Sequence, residues 1–256
     1  MIRLLLLVLL SWALPNFLYA QSVRTFKVMT YNIRSFEPDF NVSGHIQLIK
    51  NEKPDLIAFQ EVETRTSRIL KKDLVAAIGA ATGMFPLFVP AYPKDIGEYG
   101  VAILSKYPIT SSYHLPLPRL QAEGAADPRV ALVADLMLPG NFKLRFVNTH
   151  LDHLYGNGSI QLEQSKPLCT STILDGKTPV ILAGDINQGI NGNAVNYITG
   201  FYNRQCNNAH TFEGGSKLDY VFTYPKIGWT SKEQKVLHNI LLSDHYPVIV
   251  TLEYKQ

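Results

Sequence analysis

Cysteine is nearly absent: Cys169 and Cys206 are the only two in 256 residues. That is too few for a zinc site or for a scaffold held together by disulfides. One bridge between them is chemically allowed in an oxidising compartment, but nothing in the sequence brings their Cα atoms within bridging distance, so the bond stays open. An excess of one charge is missing as well. The chain carries 24 basic and 21 acidic side chains, a formal net charge of +3, and no strong field that would mark nucleic acid or an anionic membrane as its partner. There are only two tryptophans, and no apolar run reaches the roughly 20 residues of a spanning helix. Repeats, low-complexity tracts and Gly-, Pro- or Ser-rich linkers are absent, so nothing divides the core. With 46% hydrophobic and 18% charged residues, the chain is neither disordered nor fibrous.

The first twenty residues have the layout of a signal peptide. Arg3 gives a basic start, residues 4–14 are apolar apart from Ser11, and Ala20 is a small residue at the expected cut. The expectation is export, to a secreted or periplasmic location, with residues 21–256 as one catalytic domain and no integral membrane segment after cleavage. Sequons begin at Asn41 and Asn157. Beyond the leader, apolar runs over 26–33, 56–59, 87–91, 99–104, 109–115, 130–138, 144–148, 180–183, 218–223 and 248–252 predict strands. Ile46, Leu48 and Ile49 predict a short helix, and residues 159–174 a longer one. Ile69, Leu70, Leu74, Val75 and Ile78 predict an amphipathic helix after Thr66, capped by Gly79. Strands outnumber helices, and helices interrupt both halves, so two packed sheets with helices outside are expected.

Apolar strands repeatedly run straight into polar groups able to bind a cation or a phosphate. Asn32 ends the first strand, Gln60-Glu61 follows the second, and Asn148-Thr149-His150 follows another. Gly184-Asp185-Ile186-Asn187 ends the strand over 180–183, Leu218-Asp219-Tyr220 begins a strand, and Ser243-Asp244-His245 precedes the last. Any one of these is commonly a turn former or a hydrogen-bonded surface group. Together they place carboxylates, amides and imidazoles at strand ends, where a rigid scaffold can aim them into one cleft.

In this order the motifs resemble the endonuclease/exonuclease/phosphatase superfamily of metal-dependent phosphoesterases. The resemblance rests on Val28-Met29-Thr30-Tyr31-Asn32, Phe59-Gln60-Glu61-Val62, Gly100-Val101-Ala102-Ile103, Asn148-Thr149-His150, Gly184-Asp185-Ile186-Asn187, Lys217-Leu218-Asp219-Tyr220 and Ser243-Asp244-His245, and spans nearly all of the chain after the leader. It implies an α/β four-layer sandwich, two mixed sheets face to face with helices outside. It also implies a divalent cation, Mg2+ or Mn2+, held by Glu61 with Asn32 and with Asp244 as a further or water-mediated contact. Oxygen donors suit such a cation. Asp185 and Asn187 resemble the pair that orients and deprotonates the attacking water and, through Asn187, binds a phosphoryl oxygen. His245 resembles a histidine charged by Asp219, and His150 one that contacts the phosphate. Arg129 resembles a phosphate-contacting arginine, although as an edge-strand surface residue it would need no such role.

Asp152 and His153 are candidates for supporting His150. Tyr99 is a candidate for lining the cleft and His210 for touching substrate. The reading that follows is a monomeric, secreted, nuclease-like phosphodiester hydrolase. A phospholipid-headgroup or small-phosphoester hydrolase on the same site stays open, as does a non-catalytic binder of phosphorylated ligands. The small cluster Lys226, Lys232 and Lys235 does little to favour nucleic acid.

Overall fold

A computed structural model describes residues 23–119, 127–154 and 158–255. The expected leader and Asn157 of the second sequon lie outside them. Strand β1 (Val23–Asn32) shows why the sheets stack as they do. Its alternate residues Phe26 and Val28 face one apolar cluster, whereas Met29 and Tyr31 face another, and all four are fully buried. A strand that is apolar on both sides has to lie between two layers. The same holds for β2 (Leu56–Thr64), whose Leu56 and Ala58 join the first cluster and whose Ile57 and Phe59 join the second.

Between these strands lies α1 (Ser43–Glu52), and α2 (Leu74–Thr82) follows β2. Then come β3 (Phe85–Lys94), β4 (Gly97–Ser105), β5 (Ile109–Pro116), β6 (Val130–Leu138), β7 (Phe142–His150), α3 (Ser159–Thr172), β8 (Val180–Asp185), α4 (Asn193–Phe201) and β9 (Asn203–Arg204). The chain closes with β10 (Asp219–Tyr224), β11 (Trp229–Val236) and β12 (Val248–Lys255). One six-stranded sheet has the order β11-β12-β1-β2-β4-β3, the other β5-β6-β7-β8-β10-β9. Both are mixed, because β1–β2 and β7–β8 run parallel while their other neighbours run antiparallel.

The sheets pack face to face over Phe26, Val28, Leu144, Phe146 and Ile181, each fully buried. Each such side chain contributes about 1.5–3 kcal/mol of transfer free energy. Helices α1 and α2 cover the outer face of the first sheet through Leu48, Ile49 and Ile78. Leu168 of α3 and Ile198 of α4 pack with the second. This is the expected sandwich. β3 carries Pro86, Pro90 and Pro93 and lies at a sheet edge, where a missing N–H breaks no ladder.

Several local expectations are corrected. The helix expected after Thr66 begins only at Leu74, because Leu70 and Lys71 adopt left-handed φ of 56° and 58° and Leu70 is exposed. Asp73 starts the helix by accepting a hydrogen bond from the Ala76 N–H at 2.9 Å. Gly83, at φ 72°, caps its end, while Gly79 lies inside it against Pro86. Strand β11 and helix α4 were not expected. β11 is an edge strand of mostly polar residues, and α4 is rich in β-branched and aromatic residues, which weakens a helical pattern. Cys169 and Cys206 are buried free thiols. No helix among the described residues is long and apolar enough to cross a membrane.

Candidate active site

The parallel pairs β1–β2 and β7–β8 bring their carboxyl ends to one rim. Asn32 lies opposite Gln60, and His150 opposite Asp185. β10 runs the other way and so presents its first residue there, Asp219 opposite Asp185. Side chains far apart in sequence are thereby collected by register alone. Gly184 is required by close approach, since a Cβ there would meet the Thr149 carbonyl oxygen at 2.1 Å.

Asp185 is the buried centre. Its Oδ1 accepts the Asn187 N–H at 2.8 Å, and its Oδ2 accepts Asn32 Nδ2 at 3.1 Å. Two imidazoles face the same Oδ2, His150 Nε2 at 3.6 Å and His245 Nε2 at 3.8 Å. Burial, and next the neighbouring Asp219 charge, raise its pKa well above the usual carboxylate range.

The two histidines are set in opposite states. Burial alone would lower the pKa of His245, but Asp219, accepting Nδ1–H at 2.9 Å, together with Asp185 and Asp244, raises it to about 10. His245 is therefore an imidazolium near neutral pH. His150 is pushed well below its ordinary value, first by burial and then by the Arg129 charge. Arg129 donates to His150 Nδ1 at 3.0 Å, which leaves the proton of the neutral ring on Nε2, facing Asp185. The other guanidinium arm of Arg129 lies 3.0 Å from His153 Nδ1. Arg129 is thus buried and committed to holding two imidazoles rather than lying on an edge surface.

Glu61 reaches the cleft through an irregularity. The β2–β4 register shifts between Phe59 and Val62, and Glu61 has a left-handed φ of 55°, so the bulge turns its carboxylate away from the strand's alternation. Asn32 Nδ2 donates to Glu61 Oε1 at 3.0 Å as well as to Asp185, so two carboxylates converge on one amide group. Converging oxygens at the edge of a cleft fit a hard divalent cation. The Asn32 carbonyl oxygen, however, accepts the Arg34 N–H at 3.1 Å, so Asn32 would ligate only with its amide rotated.

Asp244 is 3.5 Å from Nη1 of Arg34, which itself lines the cleft with Glu61; it lines an adjoining pocket and adds to the field at His245. Asp185, Asp219 and His245 bring potential ligand atoms within 4.8 Å of one another. There the imidazolium already supplies the positive charge, and a protonated ring cannot ligate a metal.

Sequence reasoning left some supporting residues without roles. Gln60 Nε2 donates to Asn148 Oδ1 at 2.7 Å, and Asn148 Nδ2 donates to the Phe59 and Ala102 carbonyls, which ties the two sheets together beneath the site. Glu63, fully buried, binds Arg68 and Lys94 beyond the bulge. Tyr99 stacks on Tyr92 at 5.0 Å, and both line the cleft. Asp152 is buried and shapes the loop after β7, its Oδ1 accepting the Leu154 N–H. His210 stacks on His238 and lines neither the cleft nor the pocket beside it.

The cleft holding Glu61, Arg129, His150, Asp185, Asn187 and His245 has a volume of about 380 Å³. The chain resembles several solved structures in fold. An endonuclease/exonuclease/phosphatase from Beutenbergia cavernae is 20% identical, with a TM-score of 0.77 over 90% of this chain and 72% of its own. The human Nocturnin catalytic domain with bound sulfate is 17% identical, with a TM-score of 0.72 over 91% and 97%. A mannosyl-6-phosphatase from Bacteroides thetaiotaomicron is 18% identical, with a TM-score of 0.69 over 89% and 99%. No curated protein matches the chain. The model of the Endonuclease/Exonuclease/phosphatase family matches residues 29–245, which contain every side chain of the cleft, and the chain belongs to that family.

Proposed function

We propose that the protein is a secreted, divalent-metal-dependent hydrolase of phosphodiesters with nuclease-like substrates. Members of its family are typically metal-dependent phosphoesterases. The observation that carries the reading is the Asp185 carboxylate held between a neutral and a charged imidazole at the floor of a polar cleft. Export rests on the leader over residues 1–20.

A phosphodiester is an anion that repels an oxygen nucleophile, so the site has to offset charge and hold the reactants in line. Mg2+ or Mn2+, held by Glu61 with Asn32, would supply charge neutralisation at a non-bridging phosphoryl oxygen. Asp185, with its raised proton affinity, takes a proton from the attacking water at Oδ2, while the Asn187 N–H holds Oδ1 in place. His150 donates its Nε2–H to a phosphoryl oxygen, and Arg129 at Nδ1 keeps the tautomer that can do so. The His245 imidazolium stabilises the negative charge that gathers as the ester bond breaks, and Asp219 keeps it charged.

The test is hydrolysis of bis-p-nitrophenyl phosphate against the p-nitrophenyl monoester, with Mg2+, with Mn2+ and with chelator. A panel of duplex DNA, RNA, sphingomyelin and mannose 6-phosphate follows. Metal-dependent preference for the diester, and for nucleic acid within the panel, is the expected result. Preference for a monoester would overturn the diesterase assignment, and no turnover of any compound would leave a binding protein.

A further inference from the structure

Beside the reaction cleft lies a second pocket of about 560 Å³, which shares His153 and Asn187 with it. A molecule whose ester sits at Asp185 can therefore extend into this pocket without leaving the protein. The wall is made of neutral polar groups, among them Gln161, Gln188, Asn191, Asn208 and Ser216, and no aspartate or glutamate among the described residues lines it. One lining residue carries charge in an unusual state. Lys217 is only 6% exposed, and its Nζ finds no hydrogen-bond partner among the described residues. The ammonium lies 5.1 Å over the Tyr220 ring, whose hydroxyl is itself bonded to backbone oxygens of Gln188 and Lys217. No ion pair among the described residues joins Lys217 to a carboxylate, Asp219 included.

A buried ammonium without a counter-ion is costly. One aromatic face offsets only part of that cost. Here the charge borders a pocket lined with hydrogen-bonding groups and free of acidic ones among the described residues, a setting that suits an anion.

We infer that this pocket is a second anion subsite, in which Lys217 receives a phosphoryl group carried by the substrate beyond the ester that is cleaved. The inference rests on the hydrolase reading for which ester is cleaved, but not for the binding of the second group. It narrows the substrates to those with two phosphoryl groups, whether adjacent linkages of a strand or a small bisphosphorylated molecule.

The experiment is calorimetric binding of thymidine 3′,5′-bisphosphate and thymidine 5′-monophosphate, with Mg2+ present, to the wild-type protein and to Lys217→Met and Lys217→Arg. The wild type is expected to prefer the bisphosphate by about 10- to 100-fold, Lys217→Arg to keep most of that preference, and Lys217→Met to bring it near one. A purely structural loss would weaken both ligands by the same factor and leave the ratio unchanged, which overturns the inference. So does a wild-type ratio near one. Comparison with a thymidine trinucleotide separates the sources: tighter binding of the trinucleotide assigns the second phosphoryl to a strand, and tighter binding of the bisphosphate assigns it to a small molecule. If the preference behaves as expected while no phosphoester is hydrolysed, the hydrolase reading fails and the subsite stands. Diester turnover without the preference gives the reverse.

Discussion

The substitution Asp219→Asn removes one charge from a fully buried position and keeps the shape of the side chain. The new amide oxygen could still accept the His245 proton, but burial, the largest influence on that ring, would then act with one carboxylate fewer to oppose it. The His245 pKa is expected to fall from about 10 to near or below its ordinary value of 6.5. At about 1.4 kcal/mol per pKa unit, that is a loss of up to about 5 kcal/mol in the preference for the charged ring. Loss of one charged donor at a phosphoryl centre is expected to lower kcat by about 10²- to 10³-fold, with KM changed by less than about three-fold. The pH–rate profile has to change in a particular way. Asp219 also raises the pKa of Asp185, so both limbs move toward acid, the alkaline limb further.

Stability supplies an independent check. His245 has a raised folded pKa, so its pairing stabilises the fold fully below about pH 6.5 and is lost as pH rises through about 10. The wild type should lose that increment over this window, and the variant should have none of it to lose. The assays are NMR titration of the His245 ring, the pH dependence of bis-p-nitrophenyl phosphate hydrolysis, and thermal unfolding from pH 6 to 10. An unchanged His245 titration, or full activity with a neutral ring at pH 7.5, would refute the reasoning.

Glu61→Gln is expected to weaken the apparent Mg2+ affinity and cut turnover at least 100-fold with the Tm nearly unchanged, since Glu61 is a partly exposed cleft residue; equal turnover at equal metal would remove it from that role. Glu63 is different: burial alone would raise its pKa, but hydrogen bonds from Arg68, Lys94 and Thr66 bring it down to about 2. Its contribution, about 3 kcal/mol, is present above pH 4.5 and is lost as pH falls toward 2, so urea unfolding of Glu63→Gln should show a flatter acid limb than the wild type. Gly184→Ala places a methyl group 2.1 Å from the Thr149 carbonyl oxygen and should destabilise the fold by about 1–3 kcal/mol, or lower kcat by parting His150 from Asp185; a neutral result in both denaturation and kinetics would mean that β7 and β8 separate freely there.

Much of the site was legible because its residues sit where apolar strands stop. Asn32, His150, Asp185 and Asp219 lie at strand ends that the sheet registers bring together, whereas Glu61 follows the apolar run 56–59 but reaches the cleft only through the bulge in β2. The family resemblance supplied what periodicity could not, namely which of these polar groups belong to one set. Helix α2 was misplaced because Leu70 and Lys71 interrupt an apolar stripe by backbone conformation, which a count of hydrophobic spacings does not see. Strand β11 was missed because its residues are largely polar at a sheet edge.

The sequence by itself determined that two sheets would stack, because strands such as β1 and β2 are apolar on both sides and can exist only between layers. It also determined the chemical types available at the strand ends. Tertiary structure decided how each of them behaves. Two histidines with the same ordinary pKa become one charged and one neutral because Asp219 faces the first and Arg129 the second. Asp244 lies beside Arg34, and Lys217 becomes a buried cation without a partner among the described residues. Proton affinity depends on burial and on charges a few ångströms away, and those distances exist only once the strands have been brought into register.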